Sequence, residues 1–533
     1  MNLIKEIFSG SKTFHITIFL ASVLFLYLFS YSTSPLYSSW GGDSAIFQVG
    51  GKGWMEGLLP YVNNFENKGP LLFALNALGY LIYPREGIFL LQVPFMYFSF
   101  LFMWRAVELY WSQRATLIIF AAMILWRASV FLEGNRTEEY SMPFLMAAAY
   151  FFLRGLKTSE LGKIFCPPIV GFVYGLGFGA CVLLRTTNGL PICCYVFLTL
   201  IFLLQAHDFK KICQNVLSFL AGFAIICLPF VIYFAAHGAL YDMLYGTILF
   251  NTKLATTYSD DSTEHLKYMA SYAVIHFGAL YLMISASICL LKKNLGNKLA
   301  WSGLFIGITM FFLFIKIRPI PMYLELIAAV LPILFAVLHE WKCNVLPTIK
   351  NSWHMKGFTS KRIFWKFIAV ITSLYVLFQS ALLVDHFYTA NSTENQERFL
   401  DKMNYMQKLG NYIKPQERTS VVFYGEGNIM SYFILETGIY PRCRFFGNIT
   451  NAFGLYDPAV IAEWVQNVKS DYPKWILYSA LEKEFTGEEI EYWDWNFRRQ
   501  RHPAVEEILA DRYTLVGLME LYGQIINLYR LKD

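Results

Sequence analysis

Charge is what this chain has least of. Lys, Arg, Asp and Glu supply 15% of its 533 residues, against about 25% in an ordinary soluble domain. That shortage excludes a water-facing globule as the account of the whole chain. Neither sign is in large excess: the net charge of +6 suits basic cytoplasmic loops better than a nucleic-acid partner. The nine cysteines form no disulfide framework. Eight lie in or beside apolar segments or in a basic loop, leaving Cys443 alone in the polar C-terminal part, so the redox compartment stays open. The nine histidines have no paired metal-ligand spacing. The sequence also lacks the internal repeat that marks many transporters, and any low-complexity stretch.

Apolar surface is abundant: 56% of residues are hydrophobic and 18% aromatic, with a mean hydropathy of +0.41. Lipid is then the main solvent. Apolar runs of about 17–25 residues can cross a bilayer. They occur near 14–33, 87–104, 115–131, 139–153, 164–184, 188–204, 213–236, 267–291, 299–315, 321–338 and 364–383, two of them short. Lys5 and Lys12 precede a first run too long for a signal-peptide core, which predicts a retained signal anchor. The run at 70–83 is too short to span and contains Asn76 and Gly79, so it is expected to lie along the interface.

Charge supports this choice. With eleven crossings and the N-terminus inside, the cytoplasmic loops carry Arg105 and Arg114; Arg154, Lys157 and Lys163; Lys210 and Lys211; Lys292, Lys293 and Lys298; and Lys342, Lys350, Lys356, Lys361 and Arg362. All are basic, as the positive-inside rule asks. The opposite face collects residues 34–86, the loops at 132–138, 185–187, 237–266 and 316–320, and the tail. In the tail, VVFYG (421–425), NIMSYFILETG, AVIAEWVQNVKSDYPKWILYS and GLMELYGQIINLYRL (517–531, with a turn signal at Gly523) alternate strand-like and helix-like patterns. The expected architecture is an α-helical polytopic membrane bundle over 1–384, with interfacial helices in a first exoplasmic loop at 34–86. A small extracytoplasmic α/β domain follows over 385–533.

The unusual polar residues sit at span ends on that one side, where charge near lipid invites a functional role. Asp43, in WGGDSAIF, follows paired glycines that let the backbone turn closely. A carboxylate there suits a general base; by position alone an ordinary loop Asp is favoured. In NNFENKGP, Glu66 suits a divalent metal or the orienting of Lys68, and Lys68 suits a phosphate; the bland reading is a dipole-favoured Glu before the helix at Pro70. Glu138 and Glu139 open the fourth span behind Arg136, with Thr137 as N-cap, a pattern common at helix starts. In FIKIRPIPMYLE, Lys316 and Arg318 stand beside helix-breaking Pro319 and Pro321 and beside Tyr323. They suit a lipid phosphate or diphosphate and, about equally, non-specific headgroup anchoring. Arg185, in LLRTTNGLP, lies at the same depth. Trp126, Arg127, Gln92 and Glu325 fall within spans and read as packing or polar bundle contacts.

Taken in order, these stretches resemble the integral-membrane glycosyltransferases of the GT-C superfamily. The nearest branch is the bacterial one related to protein O-mannosyltransferases and lipid A aminoarabinose transferases (glycosyltransferase families 39 and 83). The resemblance covers nearly the whole chain: an early Asp in a large first loop, a Phe-Glu-x-Lys-x-Pro-like element, an acid opening a middle span, a basic-Pro-x-Tyr turn, and a polar C-terminal domain. It implies Asp43 as base, Glu66 organising the site or a divalent metal with Lys68 beside it, and Glu139 or Glu138 as second acid. Lys316, Arg318 and Tyr323, with Lys68 and Arg185, would hold the donor phosphate. The chain departs from the pattern in reading Asp-Ser for Asp-Glu in the first loop. FENKGP is one residue longer than the commonest form, and Asn251 stands where metal-binding relatives place a His.

The implied reaction is a single inverting displacement at the exoplasmic face of the bacterial inner membrane. A sugar passes from a polyprenyl-phosphate-linked donor to a hydroxyl of a lipid, glycan or protein. A flippase or exporter of lipid-linked sugars would spread polar residues through the midplane. A polysaccharide ligase would lean on arginines and a His rather than an early Asp. A receptor or structural role is the bland alternative.

Overall fold

The computed structural model describes residues 6–131, 133–159, 164–257, 277–316, 321–345, 392–425, 427–445, 458–481, 502–521 and 524–533. Its helices are α1 (Lys12–Phe29), α2 (Asp43–Met55), α3 (Pro70–Ile82), α4 (Glu86–Glu108), α5 (Gln113–Val130), α6 (Thr137–Lys157), α7 (Pro168–Leu184), α8 (Leu190–Gln205) and α9 (Phe209–Ala236). There follow α10 (Leu240–Leu244), α11 (Phe250–Thr257), α12 (Gly278–Lys293), α13 (Lys298–Lys316), α14 (Pro321–Ala328), α15 (Leu331–Asn344) and α16 (Thr393–Asn411). The remaining elements are β1 (Val421–Tyr424), α17 (Gly427–Thr437), α18 (Pro458–Ser470), β2 (Trp475–Leu481), α19 (Pro503–Arg512), β3 (Tyr513–Leu521) and β4 (Gln524–Leu531). By contacts the chain forms two compact units. One holds Met1–Ser30, Gln92–Ile232 and Ser259–Ala390; the other holds Tyr31–Leu91, Tyr233–Tyr258 and Asn391–Asp533. The first loop thus shares a unit with the C-terminal segment, while the sequence boundary at 384/385 lies outside the described residues.

The first unit is built for lipid. Among the described residues five helices are long and apolar enough to cross a membrane: α1, α4, α5, α8 with its preceding 3-10 turn Thr186–Gly189, and α9. On α9, Leu217, Leu220, Ile225, Leu228 and Ile232 all face outward. Only an apolar solvent satisfies such a surface. α6 is the opposite case, buried on nearly every side from Thr137 to Leu156, the burial expected of a helix enclosed by others.

Two details correct the sequence reading. The run 321–338 is not one continuous span; it breaks at Ala329–Val330 between α14 and α15. Pro332 supplies the reason: it has no N–H to donate to the Ala328 carbonyl, and its ring crowds that carbonyl, whereas a proline in the first turn of α15 is tolerated. Thr137 is the first helical residue of α6 rather than its cap, and its hydroxyl donates to Glu138 at 2.8 Å. The run 364–383 and the start of 267–291 lie outside the described residues.

Close packing of α7 on α9 rests on glycine. A Cβ at Gly175 would lie 1.9 Å from the Phe219 carbonyl oxygen, and one at Gly171 would lie 2.3 Å from that of Asn215. The backbones touch, as small residues four apart permit within membranes. Asn215 adds a polar clasp: its Oδ1 accepts from Gly171 N at 2.9 Å and its Nδ2 donates to Cys166 O at 3.1 Å. Gly175→Leu should force the helices apart and cost about 1–3 kcal/mol or more. Thermal denaturation in detergent checks this against Gly278→Ala, a position whose added methyl meets nothing within 4 Å. Equal melting temperatures for the two variants would refute the close-packing argument.

The second unit carries a four-stranded sheet of order β1-β2-β4-β3, with β1 parallel to β2 and the other pairs antiparallel. Alternation along the strands builds two cores. Val421, Phe423, Trp475, Leu477, Ile526 and Leu528 pack with α16 and α17. Val422, Tyr424, Ile476 and Tyr478 pack with α18 and α19. The strand and helix patterns of the tail are therefore realised, with the Gly523 turn itself outside the described residues. Phe65 and Phe250 belong to the second core, so the first loop is seated in the C-terminal module. In the same unit α3, 13 residues long, is shorter than the roughly 20 needed to cross a bilayer.

Candidate active site

In the second unit, Asp43 is the first residue of α2. Unpaired backbone N–H groups at a helix start favour a negative charge there. One turn further along, the Phe47 ring lies under the Lys68 ammonium, 5.9 Å from centroid to nitrogen. Lys68 Nζ is 2.6 Å from Asn67 Oδ1 and 3.5 Å from Glu66 Oε1. The start of α2 thus lies near both Glu66 and Lys68.

The FENKGP loop is held from three sides. Phe65 stacks in the C-terminal core, 4.6 Å from the Phe445 centroid, and its N–H donates to Arg444 O at 3.0 Å. Arg444 in turn forks onto Glu463 and reaches Asp242 at 2.7 Å. Tyr61 Oη donates to Lys68 O at 2.7 Å. Asn251 exchanges amide bonds with Asn67: its Nδ2 donates to Asn67 O at 2.8 Å, and Asn67 Nδ2 donates to Asn251 Oδ1 at 3.1 Å. Asn251 therefore serves the loop's backbone.

This donor set does not fit a divalent metal. Glu66 is buried with an ammonium at its oxygen and accepts from Asn67 N at 2.9 Å, while Asn251 Oδ1 accepts from Asn67 Nδ2 and Asn67 Oδ1 accepts from Lys68 Nζ. Among the described residues no group of three His, Cys, Asp or Glu side chains converges. His265 lies outside them.

Burial raises the Glu66 pKa, and the charge of Asp43 adds to the rise, against the lowering pull of Lys68 and the Asn67 N–H. A raised folded pKa means the carboxyl favours folding at low pH. That contribution is lost as pH climbs from the ordinary carboxylate range through the raised value. Glu66→Gln should therefore narrow the difference in melting temperature between pH 5 and pH 8, measured by thermal unfolding. An unchanged difference would mean that burial does not penalise this charge.

The first unit holds a second constellation. Arg185 follows α7 and precedes the turn Thr186–Gly189, which Asn188 ties to α6 through Ser141 Oγ at 3.0 Å. Arg185 Nη1 donates to Glu138 Oε1 at 2.9 Å, and its guanidinium lies 4.0 Å from the Tyr323 ring centroid. Glu138, Arg185 and Tyr323 are thus one cluster. Glu139 lies apart from it, held by Gln92 Nε2 at 2.9 and 3.0 Å and by the Asn135 N–H at 2.8 Å. Lys316 is the last residue of α13; its side chain and all of Arg318 lie outside the described residues.

The residues set aside as bundle contacts prove more organised than the sequence implied. Arg127 and Glu325, 198 positions apart, are fully and almost fully buried, with Arg127 Nε 2.7 Å from Glu325 Oε1. An arginine inside an apolar run was the available signal.

These elements define a polytopic helical bundle with an α/β module in the C-terminal part of the chain. The particular likeness is to the crystal structure of ArnT from Cupriavidus metallidurans in the apo state. The TM-score is 0.54 at 11% sequence identity, over 97% of this chain and 98% of that one. No family model matches the sequence, and no curated protein matches it.

Proposed function

We propose that the protein is an inverting glycosyltransferase that takes a sugar from a polyprenyl-phosphate-linked donor to a hydroxyl of a lipid, glycan or protein. The observation that carries this is the end-to-end likeness of the fold to ArnT. The two polar clusters lend it chemistry. Asp43 accepts the proton of the attacking hydroxyl. The new bond forms at the anomeric carbon as the bond to the phosphate oxygen breaks, and the electron pair leaves with the polyprenyl phosphate. The resemblance assigns that charge to Arg185, Tyr323, Lys68, Lys316 and Arg318, and cations fixed in advance where charge develops often supply the largest part of catalysis. Glu138 holds Arg185 in place for this work. Glu66 orders Lys68 rather than a metal. The site would lie at the exoplasmic face of the inner membrane, with the C-terminal module extracytoplasmic.

The test is transfer in vitro from a panel of polyprenyl-phosphate sugars to membrane extracts. Transfer from one of them, lost in Asp43→Asn with donor binding retained, supports the reading. Movement of lipid-linked sugar between leaflets without transfer would replace it with a flippase.

A further inference from the structure

The short helix α14 is pinned on two opposite sides. Tyr323 and Glu325 are two residues apart, which on a helix places them about 200° from each other. On one side Tyr323 meets the Arg185 guanidinium, 4.0 Å from its ring centroid. On the other, Glu325 Oε1 accepts from Arg127 Nε at 2.7 Å, and Arg127 Nη2 lies at the same distance as an ion contact. Arg127 is itself held on several sides: Nη1 donates to Ser99 Oγ at 3.0 Å, and the Phe25, Phe100 and Phe131 rings lie 5.7, 5.9 and 5.8 Å from its guanidinium carbon.

Burying two charges costs several kcal/mol per ion, so such a pair is a poor way to gain stability alone. A directional ion pair can add a fixed rotation to what the packing of Leu324, Leu326 and Ile327 supplies. α14 has only eight residues and is broken from α15 at Ala329–Val330, so little else in its own backbone sets its azimuth.

We propose that Arg127 and Glu325 are positioning residues that fix the rotation of α14 and thereby set Tyr323 against Arg185 for binding of the donor phosphate. This rests on the donor reading above. The pair acts before chemistry, so its loss should raise the donor KM and leave kcat nearly unchanged.

Removing one partner strands a buried charge and endangers folding, so the informative variant is Arg127→Met with Glu325→Met in the full-length protein. The folded double variant is expected to bind a polyprenyl phosphate about tenfold more weakly, with kcat within threefold of wild type. In a Tyr323→Ala background the same two changes should have no further effect. Wild-type affinity in the folded double variant, or fully additive losses with Tyr323→Ala, would overturn the proposal. Hydrogen exchange across α14 reads the mechanical half without any donor: faster exchange in the double variant supports it, and unchanged exchange overturns it. A wild-type protein that binds no polyprenyl phosphate overturns the donor reading and, with it, the assignment of the pair to phosphate binding.

Discussion

Asp43→Asn should leave a folded protein that binds its donor and transfers sugar about 10²–10⁴-fold more slowly, the range expected for loss of a general base. The substitution is nearly isosteric and leaves the Gly42 cap unchanged, so α2 should begin where it does now. What disappears is the capacity to take a proton as the hydroxyl attacks. The measurement is single-turnover transfer with wild type and variant at matched donor occupancy, beside a thermal melt. A loss of rate with unchanged melting and binding assigns the step to the carboxylate. A rate within a few-fold of wild type would return Asp43 to an ordinary loop residue.

The second large effect is expected at Arg185. Arg185→Ala removes the partner of Glu138, a carboxylate only 3% exposed, and breaking such a pair costs about 3–5 kcal/mol when fully buried. Arg185 keeps 23% exposure, so solvent screening should bring the loss below that range. Arg185→Lys retains a charge beside Glu138 but not the planar fork or the stacking on Tyr323. It should therefore fold near normally while transfer falls about 10²–10³-fold, the loss typical of one electrostatic donor. Thermal melts and kcat together separate the two effects. Full activity in a folded Arg185→Lys protein would show that a point charge suffices and that the ring contact is incidental.

How far the sequence reached differs between fold and site. Spans were legible because burial in lipid demands long apolar runs, and the α9 run Phe209–Ala236 advertises itself by composition alone. The tail's sheet was legible because VVFY and WILYS are short runs of β-branched and aromatic residues, the mark of strands buried on both faces. The glycines of α7 were less so: their meaning depends on Asn215 and Phe219 arriving from another helix. At the site, sequence could nominate acids and cations but not pair them. Glu138 and Glu139 are neighbours about 100° apart on one helix, and nothing local says that one meets Arg185 while the other meets Gln92.

What the sequence by itself determined is the kind of solvent each segment requires, which residues carry charge near lipid, and where most of the long apolar helices run. Those follow from local chemistry: hydrophobic runs and the charges beside them. The partnerships were decided only by tertiary structure. Phe65 leaves the first loop to enter a core built mainly from residues beyond 420, Asn251 clasps Asn67 across 184 positions, and Arg127 closes on Glu325 across 198. The physical reason is common to all three. A buried polar or aromatic group must be satisfied by whatever the folded chain brings within a few ångströms, and that neighbour is set by packing rather than by proximity in sequence.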